Sequence, residues 1–494
     1  MKRFFRKAAV WLARIAAVLI VLLILFYAEE DWRGARDWAA CQKELQAKGE
    51  TLDLRQLVPP GKPEDDLSKA PIFAPLYQKK IDENAPINQV DEYLKAYSQW
   101  PNSSHNLKDG YLDLASLQKF YRSLPDSHLP SQPGTPAQDV LQVLSRFDPQ
   151  MNEIDAALRN PNAYWPIDYE KPFFSPLSGV VKMIRLAALL RLRAIAHLEN
   201  HEPGLAEKDY LFFLRLTRPL TKGCILVNYL VTVGVRAIDD SLLSEGFHRH
   251  ARNDAQLHEM ESALASTDML ALAVDSFRTE RASMLQNMKG IQGMNYDLGW
   301  MALLSSHHGL ADLLLIPRIR PGGWWNEDRS TYSEGIQTRI GAIDLSRGTL
   351  SSAAFPHHAM FDSAGEYRAA DNSTWRAIYT PMSAVALTGF DNMGSKIAKA
   401  ETYRRLARLA CRLEEYRIAH GQYPDKLDEL PALPAHLNQE VLSEQPLRYQ
   451  RKGDGYLLYS IGWNQKDHGG VNSETVQHGN TFIHQDADWA WPSP

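Results

Sequence analysis

Two side chains able to ligate a cation, Asn464 and Asp467, stand inside the stretch YSIGWNQKDHGG, residues 459–470, which closes on Gly469 and Gly470. Carbonyl and carboxylate oxygens crowded onto a chain freed by glycine suit a hard cation such as calcium, which gathers about six to eight oxygen ligands in a flexible geometry. The same residues also suit a hydrogen-bonded Asn/Gly turn closing a hairpin. The segment is not an EF-hand, because NQKDHG lacks the alternating Asp/Asn positions and the closing glutamate. His468, His478 and His484 flank the loop and offer a transition-metal reading. That reading ranks below calcium, since polar loops bring histidines together by coincidence.

Other chemistry finds little support. Walker A, dinucleotide-binding and G-x-S-x-G patterns are all missing from the sequence. The pairs His307/His308 and His357/His358 are adjacent, so on a helix they diverge by about 100° and do not chelate one ion. His201-Glu202 begins like a zinc-protease helix, but Pro203 and Gly204 break it. Asp239/Asp240 and Glu414/Glu415 read as solvated helix faces. The one enzymatic alternative is an envelope hydrolase with a polar site in the 350–375 loop, around His357, His358 and Asp362.

These residues need a scaffold, and the composition bounds it. With 494 residues, 44% hydrophobic and 23% charged, the chain has ordinary globular composition and the length of two to four units at about 100–200 residues each. The net charge of -5 argues against a nucleic-acid partner. Cys41, Cys224 and Cys411 are widely spaced and odd in number, which gives neither a disulfide framework nor a cysteine zinc site.

Ala8–Ala28 reads AAVWLARIAAVLIVLLILFYA, which as a helix rises about 31 Å and can cross a hydrocarbon core. Arg14 is its one charge and lies close enough to the N-terminal end to snorkel. Lys2, Arg3, Arg6 and Lys7 precede the span, and Glu29, Glu30 and Asp31 follow it. The positive-inside rule therefore expects a single-pass protein of the cytoplasmic (inner) membrane, N-terminus inside, with its bulk exported to the periplasm or cell exterior. Phe26 is too bulky for the position a signal peptidase reads, so the anchor is expected to stay uncleaved.

The expected organisation is a basic tip and transmembrane anchor at 1–28, a juxtamembrane helix and Pro-rich linker at 29–88, an α-helical body at 89–394 and a small α+β module at 395–494. The fold class is mainly α, with a helical hairpin-stack body. In the body, Thr135-Pro136 supplies an N-cap and first helical position. Periodicity sets one apolar stripe at Val181, Ile184, Ala188, Leu192 and Ile195, and another at Leu205, Tyr210, Phe213, Leu214 and Leu216. The apolar run 224–235 is too short to span and reads as a buried core helix. The stretch from Leu298 to Trp325 reads as a core helix with an aromatic-plugged loop, ahead of an interface-lying segment. Tyr332, Ile336, Ile340 and Ile343 fall on one helical face.

In the last unit, SKIAKAETYRRLARLACRLEEYRIAHG is a long amphipathic helix with Leu406, Leu409, Leu413 and Tyr416 on its apolar face and Gly421 as its cap. PLRYQRK and GYLLYSIG follow as a hairpin around GDG. A long helix, HGQYPDKLDEL, a hairpin, YSIGWNQKDHGG and a final DADWAW together resemble the globular part of the major pseudopilin of type II secretion systems. The resemblance covers residues 395–494. The whole chain also resembles uncharacterised membrane-anchored bacterial proteins that end in such a unit. The pseudopilin likeness implies a structural calcium site in which Ser460 and Gly462 match the start of the loop, Asn464 replaces the first aspartate, and Asp486 and Asp488 match a later D-x-D pair. Asp467 has no fixed counterpart. The chain departs from the family in its N-terminus, MKRFFRKAAVW, which lacks the prepilin cleavage pattern, and in the long body between anchor and helix. The expected role is a membrane-tethered, non-catalytic envelope scaffold or binding protein tied to a secretion-like assembly, with the bilayer and an unidentified envelope protein as partners.

Overall fold

The computed structural model describes residues 2–58, 60–77, 85–88, 107–108, 111–124, 128–170, 172, 178–223, 225–249, 252–293, 320–355, 379–390, 392–471 and 487–492. The chain is mainly α-helical, with antiparallel strands in a small C-terminal region. In order, the helices are α1 (Lys2–Ala47), α2 (Leu54–Leu57), α3 (Leu114–Ser123), α4 (Pro136–Leu144), α5 (Asp148–Leu158), α6 (Ser178–Glu199), α7 (Pro203–Thr221), α8 (Leu226–His248), α9 (Asp254–Ala265), α10 (Met269–Gln292), α11 (Gly322–Gly341), α12 (Pro381–Thr388) and α13 (Met393–His420). Two-residue ladders β1 (Leu107–Lys108) with β2 (Tyr111–Leu112), and β3 (Ile343–Asp344) with β4 (Thr349–Leu350), stand between them. The terminal sheet runs in the order β5 (Arg448–Lys452), β6 (Gly455–Ser460), β7 (Trp489–Ala490).

Among the described residues α1 is the one helix long and apolar enough to cross a membrane, and its apolar stretch is uncovered by the rest of the chain. Sequence reading separates the span from a short juxtamembrane helix, whereas the structure has one unbroken helix of 46 residues, about 69 Å long. Its last part is held by α11. The two cross at glycines: a Cβ on Gly34 would stand 2.1 Å from the Gly323 carbonyl oxygen, and one on Gly323 would stand 1.9 Å from that of Glu30. The acidic residues behind the span fasten this crossing. Asp31 accepts the backbone N–H of Gly323 at 2.8 Å and so serves as a cap for α11 from another helix. Glu30, buried, accepts from the Trp324 indole at 2.8 Å and from Arg33 at 2.7 Å.

Thr135 caps α4 through a reciprocal capping box with Gln138, as its position before Pro136 predicts. The stripe on α6 is only partly as expected. Leu192 and Ile195 are buried, but Val181 is 46% exposed, and Val180, Met183, Ala187, Leu190 and Ala194 are buried instead. The helix packs against both α7 and α8, so two faces are covered and a single stripe cannot set the phase. On α7, Tyr210, Phe213 and Leu216 are fully buried while Leu205 faces solvent. Helix α8 is a core helix, with Asn228 and Thr232 buried inside it; Cys224 lies outside the described residues. Trp324 and Trp325 are buried within α11, and 294–319 lie outside the described residues. Tyr332, Ile336, Ile340 and Ile343 are all buried, although Ile343 already belongs to β3.

One apolar core runs from the body into the last unit. Leu406, Leu409, Leu413, Tyr456 and Trp491 belong to the same buried cluster as Leu186, Leu190, Phe213 and Leu257, since α13 packs on α8 and α9. Gly421, at φ +77°, ends α13 in the left-handed conformation that glycine adopts without strain. The acidic pairs read as solvated are not so. Asp239 is fully buried, and Glu414, 2% exposed, takes a hydrogen bond from Tyr423 and another from Arg417 at 2.9 Å. Both sit where α8 and α13 face their neighbours, which spacing along one helix does not reveal.

Candidate binding cleft and C-terminal loop

The structure brings the two distant acidic segments of the C-terminal unit together. Strand β6 ends at Ser460, and Gly462, at φ +68°, turns the chain so closely past the final segment that a Cβ there would lie 2.4 Å from the Ala487 carbonyl oxygen. Asp488 is fully buried, and its Oδ2 accepts the backbone N–H groups of His468 at 2.9 Å and Gly470 at 2.7 Å. Among the described residues its buried Oδ1 has no hydrogen-bond partner. Asp467 accepts the Tyr459 hydroxyl at 3.0 Å and the Gly469 N–H at 2.9 Å, and lies 3.5 Å from Arg448. These bonds, led by the Gly469 amide, hold its carboxyl below the usual range. Asn464 accepts the N–H of Lys466 at 2.9 Å, a turn of its own. Ser460 donates its hydroxyl at 2.5 Å to Glu440, whose carboxyl burial pushes upward. No group of three or more His, Cys, Asp or Glu side chains arranged for a metal occurs among the described residues. Asp486, His478 and His484 lie outside them, as do His357, His358, Asp362 and the His307/His308 pair.

For calcium the fit rests on Asp488 Oδ1. Burying a carboxyl oxygen with no donor is costly, and a cation at that atom would offset the cost without rearranging the bonds at Oδ2. Asn464 and Asp467 are already engaged in holding the loop.

A second site was not anticipated from the sequence. Between α4 and α5 on one side and α6 and α7 on the other lies an open cleft of about 810 Å³, within the range of roughly 300–1,000 Å³ that takes small ligands. Its floor is ionic. Arg193 lays its guanidinium fork on Asp209, with Nε 2.9 and 3.0 Å from the two carboxylate oxygens, and reaches Asp148 at 3.1 Å. Burial opposes the Arg193 charge, but the Asp209 and Asp148 carboxylates more than offset it and its pKa rises. His197 meets Glu202 at 2.8 Å and lies 3.9 Å from Asp209. Two turns further along α5, Asp155 receives Arg215 at 2.6 Å and Arg159 at 3.0 Å. Gln142, Asn152 and Lys208 line the rim exposed, and no partner of their side chains occurs among the described residues. Leu141, Leu205 and Leu211 supply apolar wall.

The elements that carry these residues explain their meeting. Arg193 and Asp209 are sixteen residues apart and lie symmetrically about the turn at His201, where positive φ reverses the chain. In an antiparallel helix pair such residues stand opposite each other. That symmetry was the signal available in the sequence. Pairing of α5 with α7 through Asp155 and Arg215 spans sixty residues and leaves no such mark.

The chain matches no protein-family model, and no curated protein and no solved structure proved similar to it.

Proposed function

We propose that this chain is a membrane-tethered, non-catalytic scaffold of the cell envelope that holds a partner in the cleft between α4–α5 and α6–α7. The observation that carries the reading is the state of the cleft's charges. Its floor carboxylates Asp209 and Asp155 are bonded to guanidinium groups before any ligand arrives, while the side chains of Gln142, Asn152 and Lys208 on its rim have no partner among the described residues. A preorganised polar wall of this kind binds and orients. Basic residues ahead of the apolar helix and acidic ones behind it support a cytoplasmic N-terminus and an exported body. The likeness of residues 395–494 to a pseudopilin supports a partner within a secretion-like assembly. Calcium would be held at Asp488 and Asp486, where it would neutralise the buried Oδ1 and tie the loop to the last strand.

The test is recovery of the full chain in native membrane discs. Asn152→Lys and Lys208→Glu alter two exposed rim positions and leave the core intact. A protein recovered with the natural chain and lost with the double variant is the expected result; an identical set of recovered proteins would contradict the reading.

A further inference from the structure

The cleft is electrically neutral as a whole and polar along its length, and this defines what fits it. Asp148, Asp155, Asp209 and Glu202 are matched by Arg159, Arg193, Arg215 and Lys208, but the charges are not evenly spread. At one end two guanidinium groups share the single carboxylate of Asp155, which leaves one positive charge and unspent N–H donors; the Arg159 side chain is 72% exposed. At the other end Asp148, Asp209 and Glu202 surround Arg193, with Lys208 on the rim, which leaves one negative charge among the Asp, Glu, Arg and Lys side chains. Asp148 and Asp155 mark the two poles on one helix. They lie two turns apart on the same face, about 10 Å along the axis.

Resting on the binding reading above, we propose that the ligand is an extended polypeptide segment carrying an acidic and a basic side chain three residues apart. Three residues of a chain extended as polyproline II, which makes one turn in three residues, cover about 9 Å and return the two side chains to one face, close to the separation of the poles. The acidic side chain meets Arg159 and Arg215, and the basic one meets Asp148 and Glu202. Gln142 and Asn152 can both donate and accept, so they match the alternating N–H and C=O groups of a peptide backbone between the poles. Leu141 and Leu205 cover an intervening apolar side chain. A polyanion such as nucleic acid is disfavoured by the carboxylates, and a purely basic peptide by Arg159 and Arg215.

Fluorescence polarisation on the full chain in lipid discs tests this, using dozen-residue peptides that place one Glu and one Lys at every spacing up to half a dozen on a neutral background. The proposal expects tightest binding at a spacing of three, and a loss of about fivefold in Arg159→Ala, the size of one solvent-exposed ion pair. Arg159→Glu makes both poles negative and should transfer the preference to peptides with two Lys at that spacing. This exposed position can be changed without disturbing the core. Affinity independent of spacing, or unchanged preference in Arg159→Glu, overturns the proposal. No binding of any of these peptides, with a partner still lost from the rim double variant, overturns the peptide assignment and leaves the scaffold reading standing. Failure of both experiments removes both.

Discussion

Gly323→Ala tests how the anchor is joined to the body. The added Cβ would lie 1.9 Å from the Glu30 carbonyl oxygen and 2.5 Å from its carbon, where ordinary contact begins near 3.4 Å. Both atoms are backbone, so no rotamer relieves the clash and α1 must part from α11 by about 1.5 Å. Overpacking of this kind costs roughly 1–3 kcal/mol. Separation also stretches the Trp324–Glu30 bond, 2.8 Å with a charged acceptor, at about 1.5–3 kcal/mol, and the Asp31 cap on Gly323, at about 1 kcal/mol. Partial relaxation keeps the sum below its maximum, and we expect roughly 3 kcal/mol of lost stability in chemical unfolding of the full chain in detergent micelles. Gly341→Ala is the control, because a Cβ there meets nothing within 4 Å; it should be neutral or stabilise by about 0.5–1 kcal/mol. Equal stabilities of the two variants would refute the glycine crossing.

Calcium should raise the thermal midpoint of the full chain relative to chelator, and Asp488→Asn should remove the difference; an equal midpoint in calcium and chelator sinks the calcium proposal. Burial raises Asp240 to about 7 and Glu280 to about 7, above their unfolded values, so the folded state keeps a proton that the unfolded state releases. Stability should then fall as pH rises from about 4 to 7, and Asp240→Asn with Glu280→Gln should flatten that slope in unfolding midpoints measured across the range. Leu409→Ala, in the core shared by α13 and the body, should cost about 2–5 kcal/mol in a single unfolding transition; two separated transitions would show that the core is not shared.

Local chemistry made much of the architecture legible. Thr135-Pro136, Gly421 and the hairpin around Gly453 are backbone signals that act within a few residues. On α13 Leu406, Leu409 and Leu413 are buried as their spacing predicts, although Arg404, Ala407 and Cys411 on its other faces are buried too. On α6 the same reasoning misplaced the stripe, because the helix is covered on two faces. Glu30 and Asp31 read as topological charges, yet they also clamp α11, nearly three hundred residues away. In the C-terminal loop the family likeness led to Asp488, which does reach the loop, whereas Asn464 and Asp467 are bound up in its turns. The cleft was missed because its side chains are ordinary helical Arg and Asp residues whose meeting depends on how four helices stack.

The proposed binding role of the cleft is tested most directly by a photo-reactive amino acid placed at Gln142, an exposed rim position whose side chain has no partner among the described residues, in the full anchored chain within living cells. A second probe at Lys426, away from the cleft, serves as reference. The account predicts a discrete polypeptide adduct at Gln142 that is absent at Lys426 and diminished by Arg159→Glu. The same adducts at both positions, or none at Gln142, would contradict it.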